Sequence, residues 1–124
     1  MRRTAIALLL TLAAGVAQAA PLAPAVRAEV DGLLDALERS GCQFNRNGTW
    51  YSGADARKHL TRKREYLEDK GLVTTAEQFI TLGAATSSSS GKPYQVRCPG
   101  AAPVDSQQWL MGRLATLRAP AAAR

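Results

Sequence analysis

The sequence predicts an α+β fold of about four helices, packed on a small antiparallel sheet made of a hairpin and one further strand and held by one disulfide. Apolar residues recur at helical spacing in four separate stretches, Asn47-Gly48 sits between two short β-prone runs, and the 124 residues hold two cysteines. A length of 124 residues, 46% of them hydrophobic, suits one small domain.

The first helical stripe is Val26, Val30, Leu33, Leu34 and Leu37, with Asp31, Asp35, Glu38 and Arg39 on the opposite side. It stops at Ser40-Gly41, where glycine suits a left-handed cap. Cys42 to Arg46 and Thr49 to Tyr51 then read as two strands joined by Asn47-Gly48, residues that tolerate the positive φ of a type I′ turn. Asn47-Gly48-Thr49 also matches a glycosylation sequon, which the turn chemistry accounts for. Ser52 caps a second helix carrying Ala56, Leu60 and Leu67 and closing at Lys70-Gly71. A third, short helix opens at Thr74 or Thr75 with the spacing of a capping box and presents Ala76, Phe79, Ile80 and Gly83 together. Thr86 to Pro93 is a serine-rich loop, after which Tyr94, Val96 and Cys98 alternate with Gln95 and Arg97 as a third strand. The last helix starts at Asp105 or Ser106 and sets Leu110, Leu114 and Leu117 on one side.

The ends speak to location. Residues 1–19 read as a secretory signal, with Arg2-Arg3, twelve uncharged residues from Ala5 to Val16, and Ala17-Gln18-Ala19 before the cut. Twelve residues rise only about 18 Å as a helix, short of a bilayer core of roughly 30 Å, so no stable membrane insertion is expected after cleavage. Residues 20–25 form an Ala/Pro-rich flexible lead-in, 26–118 the single globular domain and 119–124 a disordered tail. A periplasmic or secreted chain with two cysteines most simply pairs Cys42 with Cys98, which stabilises a small fold by roughly 4 kcal/mol. Removing Arg2 and Arg3 with the signal takes the formal net charge from +6 to +4, a weak bias toward anionic partners.

Several segments are recognisable in order: Cys-Gln-Phe-Asn-Arg-Asn-Gly at 42–48, Tyr51, Ala56, His59-Leu60 with Lys63, Thr75-Ala76-Glu77-Gln78-Phe79-Ile80, the run from Ser88 to Cys98, and Trp109-Leu110. From about residue 33 to 114 the chain resembles the YfeK-like proteins, small exported bacterial proteins grouped as a domain of unknown function. The resemblance implies a periplasmic single domain and supplies no catalytic residues.

His59, the one histidine, lies with Lys63 and Tyr66 along the flank of the Ala56/Leu60/Leu67 stripe, a candidate polar groove. The basic run Arg57, Lys58, Arg62, Lys63, Arg64 meets Glu65, Glu68 and Asp69 directly, so it reads as a solvated helix face, and nucleic acid is not expected as a partner. Ser88, Ser89, Ser90, Gly91, Lys92 and Tyr94 form a candidate binding loop, since hydroxyls, a cation and an aromatic side by side suit sugar or enzyme-cleft recognition. Ser90-Gly91-Lys92-Pro93-Tyr94 also looks like a loop signature of bacterial periplasmic lysozyme inhibitors, whose own fold is a β-barrel.

No catalytic constellation, metal site or cofactor motif is legible: two cysteines and one histidine are too few for a structural zinc site. The expected function is therefore a non-enzymatic periplasmic binding or envelope-associated module, its partner unknown, with an envelope protein, peptidoglycan or a lysozyme as candidates. The alternatives are a lysozyme (muramidase) inhibitor acting through the Ser/Gly/Lys/Tyr loop, and a small hydrolase using His59.

Overall fold

A proline at the first turn costs a helix no hydrogen bond, and Pro24 opens helix α1 (Pro24–Arg39). In the computed structural model, which describes Thr4, Ala7 and residues 21–120, α1 buries Val30, Leu33, Leu34 and Leu37. Each fully buried leucine contributes about 1.5–3 kcal/mol. The helix ends where Gly41 takes a φ of 71°. The expected signal segment, residues 1–19, lies outside the described residues apart from Thr4 and Ala7, as does the tail from 121 to 124.

Strands β1 (Gln43–Arg46) and β2 (Thr49–Tyr51) form the hairpin, with Asn47 at φ 53° and Gly48 at 86° in the turn. Helix α2 (Gly53–Asp69) follows, its Ser52 side chain accepting from the Asp55 amide at 3.2 Å. It closes in a Schellman motif, with Gly71 N donating to Glu68 O at 2.9 Å and Leu72 N to Leu67 O at 3.0 Å. Helix α3 (Ala76–Phe79) runs on into a π-helical turn, Ile80–Ala84. The chain then returns through β3 (Gln95–Arg97) and β4 (Val104–Asp105) into helix α4 (Ser106–Arg118).

The sheet is antiparallel throughout, in the order β2-β1-β3-β4. Pairing aligns Tyr51, Phe44, Val96 and Val104 across the inner face, while Trp50, Asn45, Gln95 and Asp105 alternate onto the outer one. Phe44 and Val96 are buried against the helices with Phe79, Ile80, Leu60 and Leu110. The disulfide joins Cys42 to Cys98, one residue beyond the Gln43↔Arg97 pair, and so fastens β1 to β3 at that end.

The α+β class, the four helices and the disulfide agree with expectation, and several details are corrected. The sheet has four strands, since Val104–Asp105 pairs with β3; two residues are too few to show alternation in sequence. The lead-in ends sooner than residue 25, because Leu22 is buried and α1 starts at Pro24. Thr75, rather than Thr74, caps α3: its hydroxyl accepts from Gln78 N at 3.1 Å, while Gln78 Oε1 accepts from Thr74 N at 2.7 Å. Leu117 is half exposed. Arg64 does not lie on a solvated face; it is buried between α1 and α2, donating to Asp31 at 3.1 Å.

The start of α2 sits hard against the end of α1. A Cβ on Gly53 would lie 2.6 Å from the Leu37 carbonyl oxygen and 3.0 Å from Glu38 Cα, both backbone atoms that cannot rotate away. Gly53→Ala is therefore expected to lower unfolding stability by roughly 1–3 kcal/mol. Urea denaturation checks this, and an unchanged midpoint would contradict the close packing.

Candidate functional site

The pleat of β1 turns alternate side chains to the same face, so Arg46 follows the buried Phe44 toward α2. On α2, His59 and Lys63 are one turn apart and flank the core residues Ala56 and Leu60. Opposite them, the loop from Ala85 to Tyr94 closes on itself: Thr86 bridges to Pro93, Ser87 N donates to Lys92 O at 2.9 Å, and Tyr94 N donates to Ala85 O at 2.9 Å. The loop thereby delivers Tyr94 inward, its ring 1% exposed and 5.0 Å from that of Phe44.

Four side chains from three elements converge. Arg46 Nη1 lies 2.6 Å from His59 Nδ1, His59 Nε2 lies 3.0 Å from the Tyr94 hydroxyl, and Lys63 Nζ donates to that hydroxyl at 3.2 Å and to the Thr86 carbonyl at 3.1 Å. A guanidinium can only donate, so Nδ1 must accept and the ring proton must sit on Nε2, from which it is donated to the Tyr94 oxygen. Lys63 Nζ also stands 5.0 Å from the centre of the Tyr94 ring.

The electrostatics follow from this crowding. Burial, then the charges of Arg46, Lys63 and Arg62, push the His59 pKa down to about 4, so the imidazole is neutral at ordinary pH. Burial and Arg46 lower Lys63. Burial raises Tyr94, with Arg46 partly opposing it. The four side chains border two adjoining hollows that share Arg46 and His59. One, of about 230 Å³, extends to Tyr51, Asp55 and Arg62, and the other, of about 330 Å³, to Lys63, Tyr94, Ser88 and Ser89.

The structure thus brings His59 and Lys63 of the expected groove together with Tyr94 of the expected loop. Tyr66 does not join them. It stands two turns, about 10 Å, farther along α2 than His59, is 60% exposed, and is approached by Lys70 at 5.9 Å. Ser88 to Lys92 are exposed, so the loop keeps its hydroxyls and its cation at the surface but turns its aromatic residue into the core. The loop is also braced: Asn47 Nδ2 donates to Ser87 Oγ at 3.2 Å, and Ser90 Oγ donates to Asn47 Oδ1 at 2.6 Å. Neither Arg46 nor Asn47, the latter read from sequence only as a turn residue, belongs to the groove or loop expected from sequence. The strand alternation that buries Phe44 was the available signal for Arg46, whereas nothing local pairs Asn47 with a loop forty residues away.

Fold and site together define a small disulfide-bonded α+β domain with a cationic, hydroxyl-lined cleft between its hairpin, second helix and serine loop. The chain belongs to a family of unknown function, DUF5329, whose model matches residues 24–118. It is 37% identical over 90 residues to the "Uncharacterized protein YfeK" of Salmonella typhimurium, covering 72% of this chain and 70% of that one. The resemblance read from the sequence is therefore correct. No solved structure matches the chain.

The depressed His59 pKa gives stability a pH dependence. Below about pH 6.5 the unfolded chain takes up a proton that the folded one, facing Arg46, Lys63 and Arg62, refuses until about pH 4, so stability present above 6.5 is lost as pH falls toward 4. Thermal melts should show the wild type losing stability across this window more steeply than His59→Gln. Parallel profiles would contradict the neutral, half-buried imidazole.

Proposed function

We propose that this protein is an exported, non-enzymatic binding module and that the cleft between Arg46, His59, Lys63 and Tyr94 is its recognition site. The observation that carries the reading is the preformed hydrogen-bond chain. Side chains from a strand, a helix and a braced loop are already locked together, which spares a ligand the cost of ordering them. Export is supported by the signal-like pattern of residues 1–19 and by a disulfide suited to an oxidising compartment. Among the described residues no helix is long and apolar enough to cross a membrane.

The bonds at His59 favour binding over hydrolysis. Its one lone pair accepts from Arg46 and its one N–H donates to Tyr94, so the ring has nothing left with which to take a proton from a nucleophile. A second reading, a lysozyme inhibitor, is favoured by the exposed Ser88–Lys92 tip that Asn47 braces, and it would act without Tyr94.

One experiment separates these readings. The chain is expressed with its own leader and recovered from the periplasmic fraction, cut after Ala19 and with the disulfide intact. It is then assayed against peptidoglycan fragments and a lysozyme panel, with Lys63→Met as the cleft variant and Lys92→Ala as the loop variant. Binding of fragments that Lys63→Met weakens and Lys92→Ala spares is the expected outcome. Lysozyme inhibition lost in Lys92→Ala would instead favour the second reading, and retention in the cytoplasm would overturn export.

A further inference from the structure

The cleft between Arg46, Lys63 and Tyr94 contains more donors than acceptors, and the imbalance can be counted bond by bond. The Tyr94 oxygen receives His59 Nε2–H and Lys63 Nζ–H, which occupies both of its lone pairs. The phenolic proton must then point elsewhere, and among the described residues no protein group accepts it. Arg46 spends one N–H on His59 and, in that same set of residues, finds no further hydrogen-bond acceptor; it leans over Tyr51, 5.2 Å from the ring centre. Ser88 and Ser89 add hydroxyls at the rim.

Charge runs the same way. Among the described residues no carboxylate lies within 4.0 Å of Arg46 or Lys63, which stand together at one concave surface. Asp55 lines the adjoining hollow and not this one. The space, about 330 Å³, sits at the lower end of the range of small-molecule sites.

We infer that this hollow is an oxyanion site: it takes the carboxylate or phosphate end of a small molecule between Arg46, Lys63 and the Tyr94 hydroxyl. An acceptor-only group of negative charge satisfies the surplus donors and the two unneutralised cations at once, with charge-assisted hydrogen bonds. A neutral ligand would satisfy the donors and leave the charges. The inference rests on the cleft being the recognition site and adds the chemistry of what it holds.

The test uses the single histidine as its reporter. Proton NMR of the tag-free protein follows the His59 pKa at constant ionic strength in chloride, with inorganic phosphate, acetate or N-acetylglucosamine added. A bound anion partly cancels the field of Arg46 and Lys63, so phosphate or acetate should raise the His59 pKa by about half a unit or more. Whichever of the two acts at the lower concentration names the preferred end group. Lys63→Met, and independently Arg46→Met, should weaken the effect about tenfold or more. A pKa unmoved by either anion in the wild type would overturn the inference without recourse to any variant. If the sugar alone shifts the cleft signals, the oxyanion assignment falls and the binding reading stands; if none of the three does, both fall.

Discussion

Tyr94 has its ring in the core and its hydroxyl in the cleft, and the rest of the structure is arranged around that double placement. The ring packs on Phe44 of the central strand, and the hydroxyl is gripped by His59 and Lys63 of α2. Its backbone ties the two ends of the serine loop together on one side and accepts from Ser106 N at the start of α4 on the other, at 2.8 Å. A buried hydroxyl without partners would cost about 1–3 kcal/mol, so the two donors from α2 stabilise the fold as well as shape the cleft. The disulfide fixes β1 to β3 nearby, holding the strand that carries Phe44 and Arg46 in register with the one that Tyr94 precedes.

Charge in the helical layer divides in two. On one side of α2, Arg57 and Arg64 face the acids of α1, Asp35 and Glu38 for the first and Asp31 for the second, so these cations join the helices to each other. On the side toward the sheet, Arg46 and Lys63 meet a neutral imidazole and a phenol. The basic run of α2 thus serves two ends: part is consumed in holding helices together, and part is left with its charge available at a concave surface.

The fold was largely legible because its signals are local. The apolar stripes of α1 and α2, the Asn47-Gly48 turn and the Ser52 and Gly41 caps each depend on neighbours in sequence, and each appears where expected. Val104–Asp105 was too short for a pattern, and the fate of Arg64 depended on Asp31, which lies on another helix. The site was legible only in fragments. His59 and Lys63 stood out by helical spacing and Tyr94 by its loop, but their meeting depends on a loop that turns back on itself, and Tyr66 shared the spacing without sharing the place. Side-chain type and period locate residues on an element; only the tertiary fold decides which elements face each other.

The direction of the His59–Tyr94 hydrogen bond, and with it the placing of the phenolic proton, depends on where the His59 proton sits. Long-range proton–nitrogen NMR of the single imidazole at neutral pH reads this directly. The expected spectrum is that of one neutral tautomer protonated on Nε2, with Nδ1 carrying the signature of an acceptor. A ring protonated on Nδ1, or one that takes up its second proton near pH 6.5 like a free histidine, would contradict the Arg46–His59–Tyr94 chain and the donor surplus that follows from it.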